Sequence, residues 1–303
     1  MIKLEPGSSL PGDYRLIEKL GKVGFYISTW RARDVYGQDV VIKYHWTIVR
    51  DDYLGNPSRN LHDKISQFCS SLDRLVDVSG TPGLAPWLSY AYNPNNAYIF
   101  LVRRYYATKL HERLASVREN ESRQRGKLLL AFQQLAEGLD SLGELQTEDP
   151  TLTFDVDEDN LFVDNSQAVL TDYGCLTLQD LIESSYDGPR PAALKRFVNG
   201  QYVFLEYTGG NVQEKAQSAL AAVYYRVRLG QPVFGDFTQD AHIHLFERRK
   251  KIEKRIEVYR DTQQLEFGHL LLPGERAALT RALAINPSER FRSCVEFVQC
   301  LST

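Results

Sequence analysis

From Tyr14 to Tyr44 the chain runs in short apolar segments broken by Gly21, Gly24 and Gly37, and Val40-Val41-Ile42 closes the block. Apolar runs of that length between turn residues predict consecutive antiparallel strands. The period then changes. Between Leu61 and Val76, Ile65, Phe68, Leu72 and Leu75 recur at three- and four-residue spacing, which predicts one amphipathic helix. Tyr98-Ile99-Phe100-Leu101-Val102 reads as a further strand, and after Lys109 long helical periods take over, with the Leu and Phe positions of Leu128 to Leu139 forming a broad buried face. Two strand signals interrupt this helical part, Asn160-Leu161-Phe162-Val163 and Ala168-Val169-Leu170-Thr171, joined by the turn-forming Asp164-Asn165-Ser166. The expected class is α+β, a small β-rich part followed by a larger helical one. The hairpin puts Asp155 to Asn160 at its entrance and Asp172 at its exit, so oxygen ligands from both mouths can converge on one metal or ligand.

Composition narrows the function. With 303 residues, 43% hydrophobic and 11% aromatic, the chain has material for a large core. Lys+Arg 36 against Asp+Glu 39 leaves a formal net charge of -3, which favours neither nucleic acid nor an anionic membrane as partner. Cys69, Cys175, Cys294 and Cys300 lie far apart without C-x-x-C spacing, matching neither a zinc site nor a small disulfide framework and pointing to reduced thiols in a cytoplasm. No apolar h-region follows Met1 and no run approaches the length of a membrane span. The basic stretch from Arg248 to Arg255 is interleaved with Glu253 and flanked by Glu247 and Glu257, as on a solvated helix face.

The order of motifs resembles the protein-kinase superfamily, in particular the bacterial branch similar to eukaryotic Ser/Thr kinases. Leu20-Gly21-Lys22-Val23-Gly24-Phe25 resembles the Gly-rich loop, and Val40-Val41-Ile42-Lys43 the third-strand V-A-I-K motif. Phe154-Asp155 through Asn160 resembles the catalytic loop, Asp172-Tyr173-Gly174 the D-F-G motif, and Phe204-Leu205-Glu206 A-P-E. Arg281 to Phe291 resembles the final helical segment, where Arg290 would pair with Glu206. Each motif alone is weak, but their colinear order from about Tyr14 to Leu301 is specific. The resemblance implies a two-lobed fold: an N-terminal extension over 1–13, a β-rich lobe over 14–105 and a mainly helical lobe over 106–303, one kinase-like domain in all. It implies an ATP site in which Gly21, Gly24 and Lys43 hold phosphate, Asn160 and Asp172 hold Mg²⁺, and Asp155 positions an acceptor hydroxyl.

The departures are as specific. The helix over 61–76 has no Glu to orient Lys43; the aligned position falls near Phe68 or Ser71, and the nearby acid is Asp73. Val23 replaces the second loop glycine, and Tyr26 or Ile27 the third, where bulk restricts the approach of backbone to phosphate. Thr153-Phe154 replaces His-Arg, and Asp157 stands where the family keeps a Lys. Removing one preorganised electrostatic group commonly costs about 2.7–4 kcal/mol, roughly two to three orders of magnitude in rate. Ala216 or Gln217 replaces the Asp that braces the catalytic loop. Arg103 falls at the gatekeeper position, where a guanidinium is expected to fill part of the adenine pocket or to pair with an acid.

Several residues have plainer readings. Asp155 and Asp159 can also be turn and cap residues. The run from Asp155 to Asn160 is no EF-hand, because Asn160 replaces the needed Gly and Ser166 the bidentate Glu. Cys175, next to Gly174, reads as buried and inert; His242 and His244, near Asp240, lack a third metal ligand in register and read as surface. Ser184, Ser185 and Tyr186 lie where an activation segment would be phosphorylated, but Phe154 replaces the Arg that would read the phosphate. The expectation is a pseudokinase that regulates or scaffolds through protein partners, with weak or absent binding of ATP and Mg²⁺. The alternative is an active atypical Ser/Thr kinase in which Lys43, Asp155, Asn160 and Asp172 suffice and Asp73 replaces the missing Glu.

Overall fold

The computed structural model describes residues 4–21, 27–46, 61–93, 98–114, 121–149, 152, 154, 156, 158–164, 167–183, 212–233, 245–262, 264–267 and 270–302. The chain is mixed α/β and divides into two compact units. One comprises Met1–Gly80, Ala85–Ala107 and Gly174–Pro189, the other Thr81–Leu84, Thr108–Tyr173 and Arg190–Thr303.

The first unit is built on a six-stranded antiparallel sheet of β1 (Ser9–Leu10), β2 (Tyr14–Leu20), β3 (Ile27–Arg33), β4 (Asp39–Trp46), β5 (Trp87–Asn93) and β6 (Tyr98–Arg104), in the order β1-β2-β3-β4-β6-β5. Alternation explains the faces. In β3, Ser28, Trp30 and Ala32 are buried in turn, and with Leu16, Val40, Ile42, Tyr44, Tyr98, Phe100 and Val102 the two apolar members form one core. Residues 1–13, expected as an extension, contribute β1, whose Leu10 pairs with Tyr14 and joins this core. Central β6 is buried at every position but Arg104, as expected of a strand covered on both faces. Helix α1 (Leu61–Asp77) forms where the apolar period predicts it, with Leu61, Ile65, Phe68, Leu72 and Leu75 all buried. It packs against β5 and against α4 (Cys175–Glu183).

In the second unit β7 (Thr108–Lys109), β8 (Leu161–Asp164) and β9 (Gln167–Leu170) form a small sheet. Helices α2 (Leu110–Leu114) and α3 (Glu121–Glu148) pack on it, and α5 (Val212–Leu229), α6 (Leu245–Thr262), α7 (Pro273–Ala282) and α8 (Cys294–Leu301) follow in the chain. Arg281 to Phe291, read from sequence as helical, is mostly the link between α7 and α8, with a 3-10 turn at Pro287–Glu289. Asp140 of α3 caps α8 from outside, its carboxylate accepting from the backbone N–H of Cys294 at 2.8 Å and of Val295 at 3.0 Å. Among the described residues no helix is long and apolar enough to cross a membrane. The four cysteines are unpaired with one another.

Candidate functional site

The hairpin mouth is set by backbone pairing. Register Leu161↔Leu170 to Asp164↔Gln167 brings the residues before β8 beside those after β9, and Thr171 ties them, its N–H and Oγ1 both donating to the Asn160 carbonyl at 2.8 and 3.1 Å. Asn160 and Asp172, the two candidate Mg²⁺ ligands, thus lie at one end of one hairpin. Asp172 is 5% exposed and has φ 63°, a left-handed conformation that costs a non-glycine residue energy and is concentrated at functional sites. The hairpin is anchored from α3, where Gln134 Oε1 accepts from the Ala168 N–H at 2.9 Å, and from Gly83, whose carbonyl accepts from the Leu170 N–H at 2.7 Å. Gly83 has φ 81°, and a Cβ there would lie 1.9 Å from the Gln134 carbonyl oxygen, so only glycine fits.

The loop leading into the hairpin is fixed by charge and by apolar burial. Glu158 pairs with Arg226 of α5 at 3.0 Å, and burial pushes its carboxyl up despite that cation. Asp159 pairs with Lys109, which favours its reading as a structural turn residue. Phe154, at the position that the kinase resemblance would give to an Arg, is a core side chain, 7% exposed between buried Leu152 and Val156. Gln217, which with Ala216 is one of the two positions the kinase resemblance sets against a bracing Asp, is fully buried and grips the chain before α8. Its Nε2 donates to the carbonyls of Phe291 and Ser293, both at 2.9 Å, and its Oε1 accepts from the Phe291 N–H at 3.0 Å. Arg290 is also buried, its guanidinium donating to the carbonyls of Ala284, Glu214 and Ile285 at 2.8, 3.1 and 3.4 Å, and desolvation lowers its pKa.

In the first unit Lys43 is half-buried on β4, opposite Thr29 and Leu101. Val41 pairs with Arg103, so Lys43 and Arg103 are diagonal neighbours on the sheet face opposite the Trp30–Phe100 core. Arg103 is 5% exposed and its Nη1 donates to the carbonyl of Arg104 at 3.0 Å. Gly21 has φ 72° and open space around it, so its backbone conformation, not crowding, demands glycine. On α1 Phe68 and Ser71, near one or the other of which the kinase resemblance would place a Glu, face inward at 3% and 6% exposure. Asp73 is exposed, and its carboxylate accepts from the Tyr90 hydroxyl at 3.0 Å; burial and this bond push that phenol up to about 12. The same helix meets α4 so closely at Gly174 that a Cβ there would lie 2.7 Å from Leu75.

Gly24, Asp155, Asp157, Glu206, His242, His244 and the segment with Ser184, Ser185 and Tyr186 lie outside the described residues. Among the described residues no group of three or more His, Cys, Asp or Glu could hold a metal ion. What the motif reading missed is the Arg103–Arg104 bond and the Gln217 clamp. A charged residue inside the apolar run from Tyr98 was the signal for the first, and Gln217 among Ala and Leu on α5 for the second. No protein-family model matches the chain, and no curated protein sequence matches it.

Proposed function

We propose that the chain is a two-lobed, kinase-like pseudokinase, a regulatory or scaffolding module that works through protein contacts and binds nucleotide weakly or not at all. The observation that carries this reading is the Arg103 guanidinium, buried and donating to the Arg104 carbonyl. On the kinase reading this side chain stands where a purine would sit. A purine amino group needs a backbone acceptor, and here a charged donor already uses one. A hydrogen bond from a charged group contributes about 1.5–3 kcal/mol, so displacing Arg103 would weaken a purine by roughly 10- to 150-fold. The buried Phe154, the engagement of Asp73 by Tyr90 and the packing of α4 on α1 point the same way.

The test is thermal unfolding across millimolar MgATP, since a ligand raises apparent stability by RT ln(1 + [L]/Kd). The native chain is expected to show a flat melting temperature, and Arg103→Met a rising one. A second reading, an active atypical Ser/Thr kinase, draws on the convergence of Asn160 and Asp172 and on the strained φ of Asp172. In it Lys43 neutralises phosphate, Asn160 and Asp172 offer Mg²⁺ hard oxygen ligands, and Asp155 accepts the hydroxyl proton. Phosphate incorporation seen by mass spectrometry with MgATP, and abolished by Asp155→Ala, would replace the first reading with this one.

A further inference from the structure

We draw no further inference here: the strongest candidate, the cavity of about 310 Å³ lined by Tyr225 of α5 and Tyr259 of α6, offers rings only 1% and 3% exposed, carries charges of both signs at Arg255 and Glu266, and nothing in the structure shows what covers it.

Discussion

Of the buried arginines, Arg228 in the second unit and Arg103 in the first lie in different settings. Arg228 of α5, 4% exposed, lies against fully buried Glu275 at 3.3 Å. Glu275 also accepts from the Tyr224 hydroxyl, from the Leu272 N–H at 2.8 Å and from Arg125 at 3.4 Å, and Arg125 reaches on to the Leu301 carbonyl at 2.6 Å. That cluster joins α3, α5, the start of α7 and the end of α8. Arg103 is as deeply buried, yet its guanidinium donates to the carbonyl of the very next residue. A charge knitted to several elements is part of what holds them together, while the bond from Arg103 to the Arg104 carbonyl ties in no second element.

The same substitution in the two places sharpens the contrast. Arg228→Met leaves Glu275 short of a buried partner, and breaking such a pair costs about 3–5 kcal/mol, read as a fall in the chemical denaturation midpoint. Burial alone would raise the Glu275 carboxyl, but the Tyr224 hydroxyl, the Leu272 N–H, Arg228 and Arg125 outweigh it and hold it below the ordinary value. Its contribution to stability is therefore complete above the ordinary carboxylate range and is lost as pH falls through the lowered value. With Arg228 gone that loss is expected to begin at a higher pH, which denaturation midpoints taken across the acid range would reveal.

Next in size is Gly83→Ala. It forces an L side chain into a left-handed conformation and onto the Gln134 carbonyl, at a cost of about 2–5 kcal/mol once strain of about 1–2 kcal/mol is added to overpacking of about 1–3 kcal/mol. Because Gly83 also accepts from Leu170, the amides of β8 and β9 should lose exchange protection before those of α3. Global loss without that order would mean that the hairpin is not the part that Gly83 supports.

The periodic elements were legible in the sequence because burial imposes their period. The strands over 14–44 and 98–102, the helix over 61–76 and the hairpin at 160–171 reappear within one or two residues at their ends. Among the elements not read from the sequence, two escaped for identifiable physical reasons. Strand β5 alternates weakly, with most of its positions half-buried, and α4 follows Gly174 without a break, so its start carried no separate signal. At the site, the meeting of Asn160 and Asp172 was legible because a hairpin dictates it. The partners of Arg103, Gln217 and Asp73 were not, since they depend on which face each side chain takes and on backbone groups that no motif names.

Arg103→Met should change stability by no more than about 1 kcal/mol in either direction, because replacing a buried charge with an apolar side chain of similar length is often neutral. The gain expected is in nucleotide response, not in melting temperature without ligand. A loss comparable to that of Arg228→Met would mean that Arg103 is structural after all and would remove the main support for an occluded purine site.

The smallest effect is expected at Asp73, and its smallness is informative. The carboxylate is exposed and holds the Tyr90 hydroxyl, a contact worth about 0.5–1.5 kcal/mol if buried and less in water, so Asp73→Asn, which keeps an acceptor, should shift stability by under about 0.5 kcal/mol. If Asp73 instead served as the partner of Lys43, the same change would remove a charge from a phosphate-binding pair. Measured in the Arg103→Met background, where nucleotide binding is expected to be readable, Asp73→Asn should then weaken MgATP several-fold, whereas Tyr90→Phe should not. Equal MgATP affinity with and without Asp73→Asn is the outcome the geometry favours. It would leave α1, on which Phe68 and Ser71 are among the inward positions, with no described acid aimed inward at these two, and on the proposed pseudokinase reading would tie a loss of catalysis to the helix as well as to Arg103.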